Sequence, residues 1–219
     1  MYKKSLPLVL AALVAFSAPA SAAESVQPPK QHWNHQGIFG TYDKASLQRG
    51  FQVYKQVCSA CHGMKLLSYR NLAGLGYNDD EIKAIAAEYT VVDGLSLVVK
   101  ARHNHEDYIH ALLTGYEAPP AVDEKGEKVE VPSGMHWNKY FPGHMIAMAP
   151  PLVEGAVSYA DGTNATVEQM SKDVTQFLAW AGEPHMEQRK KMGIKVMLFM
   201  FVFAGIMLAA KRKVWAAVH

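Results

Sequence analysis

Cysteine is scarce in this sequence, and the position of the two cysteines present limits their chemistry. Only Cys58 and Cys61 occur in 219 residues, and two residues separate them. A zinc site built on such a pair needs a second pair of ligands at a comparable spacing, and a thioredoxin-like dithiol needs a βαβ setting. Neither is evident in the sequence, which disfavours both uses of the pair.

Acidic residues are missing from both ends of the sequence. All 20 lie between Glu24 and Glu187, a stretch with 13 basic residues, so residues 24–188 carry a formal charge of −7 although the whole chain carries +2. A negative domain disfavours a nucleic-acid partner and favours a basic protein partner. Solubility alone is the alternative explanation of a modest negative charge.

The two cysteines belong to a five-residue motif, Cys-Ser-Ala-Cys-His at 58–62. C-x-x-C-H is the attachment signature of a c-type haem. Two thiols about one helical turn apart can form thioethers to two vinyl groups of the porphyrin, and His62 then projects its imidazole under the iron. The motif predicts one covalent haem c, attached through Cys58 and Cys61 with His62 as an axial ligand, and it leaves no thiol for a disulfide.

The first 23 residues predict a secretory signal peptide. Lys3 and Lys4 precede an apolar run at 6–16, and small residues follow at 18–23. This order is typical of a cleaved export signal. An uncleaved anchor is the alternative, but the run is short for a membrane span. We therefore expect the domain that carries the haem motif to be exported.

Apolar periodicity predicts a mainly α-helical domain over residues 24–188. Its first part, 24–40, is expected to be an extended arm rich in proline and glycine. Apolar or helix-capping patterns occur in four places: from residue 42 into the haem motif, after Asn78, over 95–113, and from a capping box at 166–169. A small hairpin is expected over 122–131. The histidines of the third stretch, His103, His105 and His110, are expected to be surface or packing residues rather than iron ligands.

A proline-braced loop supplies candidates for the second iron ligand. Residues 145–151 read Met-Ile-Ala-Met-Ala-Pro-Pro, and the prolines restrict the backbone before and at their positions. A thioether on such a loop can face the iron opposite His62, although methionine more often fills apolar gaps. From the residues alone, Met148 is one candidate among several, with Met135, Met145 and His144 in the same region.

The C-terminal segment predicts a single membrane-spanning anchor. Only Lys195 interrupts the uncharged residues 192–210, and this run reaches roughly 28 Å as a helix, close to the hydrocarbon thickness. Basic clusters flank it within residues 189–213, so the positive-inside rule alone does not orient it. The signal peptide places the domain outside and the tail, 214–219, in the cytoplasm. A buried core helix is the alternative, which all-round hydrophobicity disfavours.

With these features in place, the sequence resembles the cytochrome c1 family, the haem subunits of the ubiquinol–cytochrome c oxidoreductase (cytochrome bc1 complex). The resemblance covers nearly all of the mature chain. Its most specific strings are Tyr-Phe-Pro-Gly at 140–143 and Met-Ala-Pro-Pro at 148–151. It implies a mainly α, class-I cytochrome c-like haem domain with one C-terminal transmembrane helix, and it implies that Met148 is the sixth ligand of the iron.

The resemblance also implies a function in electron transfer. Because His62 and Met148 would leave the iron no position for a substrate, the chain would pass one electron at a time from a Rieske iron–sulfur protein to a soluble c-type cytochrome, without further chemistry of its own. Its partners would be these two proteins, cytochrome b and membrane lipid, in a bacterial inner membrane with the haem domain in the periplasm. The alternatives are a haem peroxidase-type enzyme, which needs an open sixth position, and a membrane-anchored cytochrome that feeds another partner.

One stretch departs from the family pattern. In the family, the Val-x-Asp-Gly found here at 91–94 is followed by a segment rich in proline and asparagine, whereas here it joins Leu95-Ser96 directly. The absent segment carries an arginine and other groups that line the haem and contact a propionate in the family. Three explanations are open: either Arg102 or Arg70 covers the propionates, or the haem edge is more exposed than in the family, or the natural protein has residues that this sequence lacks.

Overall fold

The computed structural model describes residues 26–88, 94–122 and 126–216. The predicted signal peptide and the end of the tail lie outside these residues, as do Asp123 and Glu124 of the expected hairpin. Within them the chain is mainly α-helical, as predicted, with five α-helices and one antiparallel pair of short strands. The elements are α1 Lys44–Val53, α2 Asp79–Glu88, α3 His105–Thr114, β1 His136–Trp137, β2 Met145–Ile146, α4 Val167–Gly182 and α5 Met186–Trp215.

Local capping explains where three of the helices begin. The Asp43 carboxylate accepts a hydrogen bond from the backbone N–H of Ala45 at the start of α1. Asn78 accepts from two N–H groups at the start of α2, and the Thr166 hydroxyl accepts from the N–H of Gln169 at the start of α4. Each side chain satisfies backbone donors that have no partner inside the helix. These starts agree with the sequence.

Helix α4 lies at the centre of the core and packs against both α1 and α3. Its Phe177 is fully buried, and the ring centroid lies 5.4 Å from that of Phe51 and 5.7 Å from that of Tyr54. The backbones of α1 and α4 approach closely at Gly50, where a Cβ atom would lie 2.0 Å from the carbonyl oxygen of Asp173. Glycine is therefore required at this crossing.

A buried carboxylate joins the same two helices. The Asp173 side chain is fully buried and accepts two hydrogen bonds from the Arg49 guanidinium, at 2.8 and 3.1 Å. Ser46 and Gln169 donate to the same carboxylate, and Arg49 also bonds the exposed Asp161. A buried charge is tolerated only when paired and hydrogen-bonded in this way, so the cluster fixes how α1 lies on α4.

The structure differs from the sequence prediction over 95–113 and 122–131. Residues 95–104 form turns, and α3 begins only at His105. Asn104 and His105 have φ of 61° and 46°, a left-handed conformation that interrupts a helix. Over the described part of 122–131, a single bridge pairs Val122 with Lys128 in place of a regular hairpin.

Helix α5 extends the predicted C-terminal span at both ends, from Met186 to Trp215. It is long and apolar enough to cross a membrane, and its apolar residues 192–210 are exposed rather than packed on the domain. This exposure excludes the alternative of a buried core helix. Pro184 and the end of α4 at Gly182 separate the anchor from the domain.

Candidate functional site: the Cys-x-x-Cys-His turn and the Met148 loop

The haem motif begins on a π-helical turn that follows α1 directly. Residues Tyr54–Cys58 form this turn, and the N–H of Ser59 donates to the carbonyl of Tyr54 at 2.9 Å. The chain then reverses around Cys58, whose carbonyl accepts from the N–H groups of Cys61 and His62 at 3.2 and 2.9 Å. Single π-helical turns are rare in proteins, but those that occur are often at functional sites. This one brings the two cysteines and the histidine into one compact turn.

Both thiols are free, and their surroundings differ. Cys58 is half-buried, and burial raises its thiol pKa to about 11, whereas Cys61 is exposed. The neutral Cys58 thiol is therefore the stable form at physiological pH. Two free thiols one turn apart, followed by an imidazole, are the donor set that covalent haem attachment needs. The residues present thus fit a haem c.

Backbone contacts on both sides hold His62 in place. The Tyr54 hydroxyl donates to the His62 carbonyl at 3.0 Å. Gly63, the next residue, bridges to Gly94, and its carbonyl accepts from the N–H of Leu95 at 2.8 Å. The Gly94–Leu95 junction therefore lies directly beside the histidine of the motif.

A largely apolar cavity borders the motif turn. It holds about 560 Å³ of space, open in part to solvent, and it reaches Ser59 and Gly63. Cys58, Cys61 and His62 are not among its lining residues. Its remaining walls come from α1, α2, α4 and the 3₁₀ segment Tyr69–Leu75, chiefly through Phe51, Tyr54, Met64, Leu67, Leu72, Ile85 and Phe177. The turn thus lies at the edge of an apolar space within the helical core.

Met148 lies on a loop that is tied to the end of α3. Its side chain is half-buried, and its backbone carbonyl accepts a hydrogen bond from the Tyr116 hydroxyl at 3.0 Å. Tyr116 follows α3 after one glycine and is itself bridged to Asn138. Burial, the largest cause, raises the pKa of Tyr116 to about 12, so its hydroxyl stays protonated and able to donate. Tyr54 and Tyr116 thus hold the backbones of the two predicted iron ligands in the same way.

Asn138 organises the turn that leads to Met148. It is fully buried, its amide nitrogen donates to the Leu112 carbonyl at 2.8 Å, and its side-chain oxygen accepts from the N–H groups of Tyr140 and Phe141. Its backbone N–H donates to the His144 carbonyl. Neither Asn138 nor Tyr116 was predicted from the sequence as a residue that positions Met148. For Asn138, the one local indication in the sequence is its position just before the Tyr-Phe-Pro-Gly turn.

The other candidate ligands in this region have different environments. The His144 ring stacks on Trp137, with centroids 4.7 Å apart, and its Nδ1 atom lies 3.2 Å from the Asn138 carbonyl. Met145 lies in β2, paired with β1. Met135 is half-buried directly before β1, and Met64, Met170 and Met186 are buried in the core. Met148 remains the predicted ligand.

The three histidines of the region before α4 have surroundings that suit packing or surface roles. His110 is buried, and its two ring nitrogens lie 2.9 Å from the Ser171 hydroxyl and 3.0 Å from the Glu168 carboxylate. His105 contacts the Val99 carbonyl, and His103 is exposed. This agrees with the expectation from the sequence.

The two arginines considered for the propionates lie in different settings. Arg102 borders a cleft together with Tyr108, Tyr140 and Phe141, which is next to the turn that leads to Met148. Arg70 is exposed on the 3₁₀ segment. Arg102 thus shares a cleft with residues of the turn that leads to Met148.

A helical domain that presents a Cys-x-x-Cys-His turn, followed by one long apolar helix, matches the class of membrane-anchored c-type cytochromes. A family model described as the Cytochrome C1 family matches residues 33–95 and 93–218. The chain therefore belongs to the cytochrome c1 family.

Similar proteins from plants, bacteria and fungi agree with this assignment. "Cytochrome c1 2, heme protein, mitochondrial" of Arabidopsis thaliana is 44% identical over 225 residues, covering 84% of this chain and 71% of the relative. Cytochrome c1 of Rhodospirillum rubrum is 40% identical over 259 residues, with 95% of each chain covered. The "Cytochrome b-c1 complex catalytic subunit, mitochondrial" of Candida albicans is 37% identical over 241 residues, covering 92% of this chain and 82% of the relative.

The comparisons also agree with the departure noted in the sequence. The two parts of the family match meet at residues 93–95, where the additional segment is missing. The alignment to the R. rubrum protein is 259 positions long and covers 95% of this chain, which is about 208 of its 219 residues. About 50 of the aligned positions therefore have no counterpart in this sequence. The sequence therefore lacks positions that this relative has.

Proposed function

We propose that this chain is the electron-transfer subunit of a respiratory cytochrome bc1 complex. It takes one electron at a time from a Rieske iron–sulfur protein and passes it to a soluble c-type cytochrome. The observation that carries the proposal is the Cys-x-x-Cys-His turn, with both thiols free, in a chain of the cytochrome c1 family. When bound, the haem supplies a couple that changes by one electron.

Four residues would hold the haem. Cys58 and Cys61 would form the thioether links, and His62 and Met148 would bind the iron. Two protein ligands leave no position for a substrate, which favours electron transfer over a peroxidase-type reaction. The relatives from A. thaliana are named heme proteins, which supports one covalent haem c in this chain.

The protein's own contribution is to hold these ligands still. The hydroxyls of Tyr54 and Tyr116 each bond the backbone of one ligand residue, at 3.0 Å in both cases. Asn138 fixes the turn before Met148, and Arg49 with Asp173 fixes α1, from which the motif extends. A rigid ligand set changes little between the two oxidation states, and polar groups fixed in advance need no rearrangement when the charge changes.

Helix α5 would anchor the domain in the bacterial inner membrane as a single span. The signal-peptide pattern supports a periplasmic haem domain and a cytoplasmic C-terminus. Cytochrome b and the Rieske protein are the proposed partners in the membrane, which is supported by a relative named as a subunit of the b-c1 complex. The −7 charge of residues 24–188 supports a basic soluble cytochrome as electron acceptor.

Purification from native membranes tests the proposal. We expect the chain to migrate with a cytochrome b and a Rieske protein, and its haem stain to persist on a denaturing gel. A C58S/C61S double variant should lose that stain, because no thioether can form. The reduced protein should not bind carbon monoxide at neutral pH. Migration with a terminal oxidase would contradict the proposed partners, and rapid carbon monoxide binding would favour an enzyme with an open iron position.

A further inference from the structure

Two large apolar side chains project from the arm that precedes α1. Ile38 and Phe39 are 69% and 83% exposed, whereas Trp33 and His35 at the base of the same turn are only 3% and 4% exposed. Exposed apolar side chains that occur singly are ordinary, but two adjacent ones on an ordered turn form a patch that needs a contact.

The turn that presents these side chains has a fixed backbone. Gln36 donates to the Trp33 carbonyl at 3.0 Å, and Gly40 donates to the Gly37 carbonyl at 3.4 Å. Gly37 has a φ of +76°, and a Cβ atom on Gly40 would lie 2.0 Å from the Gln36 carbonyl oxygen. The left-handed backbone at Gly37 favours glycine, and the close approach at Gly40 requires it, so the shape of the turn is built into the fold.

The base of the turn is bound to the domain. The Trp33 indole N–H donates to the Asp107 carboxylate at 2.7 Å, and the His35 Nε2 atom lies 2.9 Å from a Glu106 carboxylate oxygen. Both acidic residues belong to the first turn of α3. The turn therefore has a fixed position relative to the domain.

The other side of the turn is bound to the start of α5. The Lys190 ammonium donates to the carbonyls of His35 and Gly40 at 2.6 and 3.0 Å, and the Glu187 carboxylate accepts from the N–H of Tyr42 at 2.9 Å. Ile38 and Phe39 share a cleft with one face of α5, formed at helical spacing by residues 187, 190, 191 and 194. The tip thus lies alongside the first turns of this helix.

This contact sets the depth of the tip relative to the apolar run. The run begins at Met192, and Ile194 lies two residues further along, about 3 Å of helix rise. Because Ile38 and Phe39 border a cleft that α5 lines with residues between 187 and 194, they lie beside the part of the helix in which the run starts. Lys191 and Lys195 are exposed on the same segment and suit anionic headgroups.

We propose that the 36–40 turn is a second membrane contact, in which Ile38 and Phe39 insert into the boundary between lipid headgroups and acyl chains beside α5. The proposal rests on the proposed function only in that α5 must span the membrane. Aromatic and aliphatic side chains flanked by lysines are the composition that binds this boundary. Since the turn is also bound to α3, the contact fixes the tilt of the domain on the membrane.

Photocrosslinking in native membranes tests the proposal with the full chain. p-Benzoylphenylalanine replaces Phe39 in one variant and Val153 in a matched control, since Val153 is also exposed, at 61%, and lies outside the cleft with α5. After irradiation and a carbonate wash, mass spectrometry identifies the adducts. We expect a lipid adduct at residue 39, several-fold above that at residue 153.

Three results would overturn the proposal. A crosslink from residue 39 to another protein would assign the patch to a protein interface, and equal lipid yields at residues 39 and 153 would remove the specific contact. Release of the chain by carbonate would show instead that α5 does not span the membrane. This result would separate a failure of the proposed membrane span from a failure of the proposed contact at the 36–40 turn. As a second measurement, F39W should be quenched by lipids brominated near the headgroup in reconstituted vesicles, whereas V153W should not.

Discussion

Replacing Tyr116 by phenylalanine removes one hydroxyl and the hydrogen bond that it donates to the Met148 carbonyl at 3.0 Å. The bond is between neutral groups and half-buried, so its loss costs about 0.5–1.5 kcal/mol. If this bond is lost when the methionine leaves the iron, its removal shifts the balance between bound and detached methionine by about 2- to 13-fold.

Competition with added imidazole measures this balance. In the Y116F variant, we expect half-conversion of the ferric protein at an imidazole concentration lower by about 2- to 13-fold. The matched control is Y54F, which removes a bond of the same length from the His62 carbonyl on the other side of the ligand set. It should leave the imidazole midpoint nearly unchanged. An unchanged midpoint in Y116F, or a larger shift in Y54F, would refute the assignment of Tyr116 to the Met148 loop.

Three further predictions concern packing, charge and pH. G50A places a Cβ atom 2.0 Å from the Asp173 carbonyl oxygen, so the two helices must separate; we expect a loss of about 2–3 kcal/mol in the free energy of unfolding and a thermal midpoint lower by about 4–12 °C. G74A, whose nearest contact is a side-chain atom at 3.2 Å, should cost far less, and equal losses would contradict this account. Electron transfer to a basic soluble cytochrome should slow as salt rises, because ions screen the −7 charge of residues 24–188; a rate independent of ionic strength would count against electrostatic docking. Burial is the chief reason that the pKa values of Tyr54 and Tyr116 are raised to about 12. Their contribution to the free energy of unfolding should therefore be constant up to about pH 10 and fall between pH 10 and 12, because the tyrosines of the unfolded chain ionise first. If the melting temperature of a Y54F/Y116F variant falls as steeply between pH 10 and 12 as that of the parent protein, these two tyrosines are not the cause.

Features set by neighbouring residues could be predicted from the sequence. The caps at Asn78 and Thr166 are short-range patterns, and the structure shows the expected hydrogen bonds at both. The haem motif and the apolar C-terminal run are also contiguous strings, so their recognition needed no knowledge of the fold. For such features, the chemistry lies within about one helical turn.

Features that join distant parts of the chain could not be predicted. The Tyr116–Met148 bond spans 32 residues and the Arg49–Asp173 pair spans 124. The sequence around Tyr116 and around Arg49 does not distinguish them from a tyrosine or an arginine on the surface. The exposed turn at Ile38 and Phe39 was predicted only as an arm, because its position beside α5 depends on contacts with Glu187 and Lys190.

The late start of α3 shows a second reason why a prediction from the sequence can be wrong. The apolar spacing over 95–113 is compatible with a helix, yet residues 95–104 form turns because Leu95 pairs with Gly63 beside the motif and Asn104 adopts a left-handed conformation. The local propensity was overridden by the contact with the haem motif. This contact lies where the family's additional segment is missing.

The identity of the sixth iron ligand is the most direct test of the account. M148L and M145L should be compared by the weak sulfur-to-iron absorption near the red end of the ferric spectrum, by reduction potential and by carbon monoxide binding. We expect M148L to lose the absorption, lower the potential and bind carbon monoxide, since thioether ligation raises the potential of a haem, and M145L to behave as the parent. The reverse pattern would show that Met145 is the ligand and would contradict the proposed site.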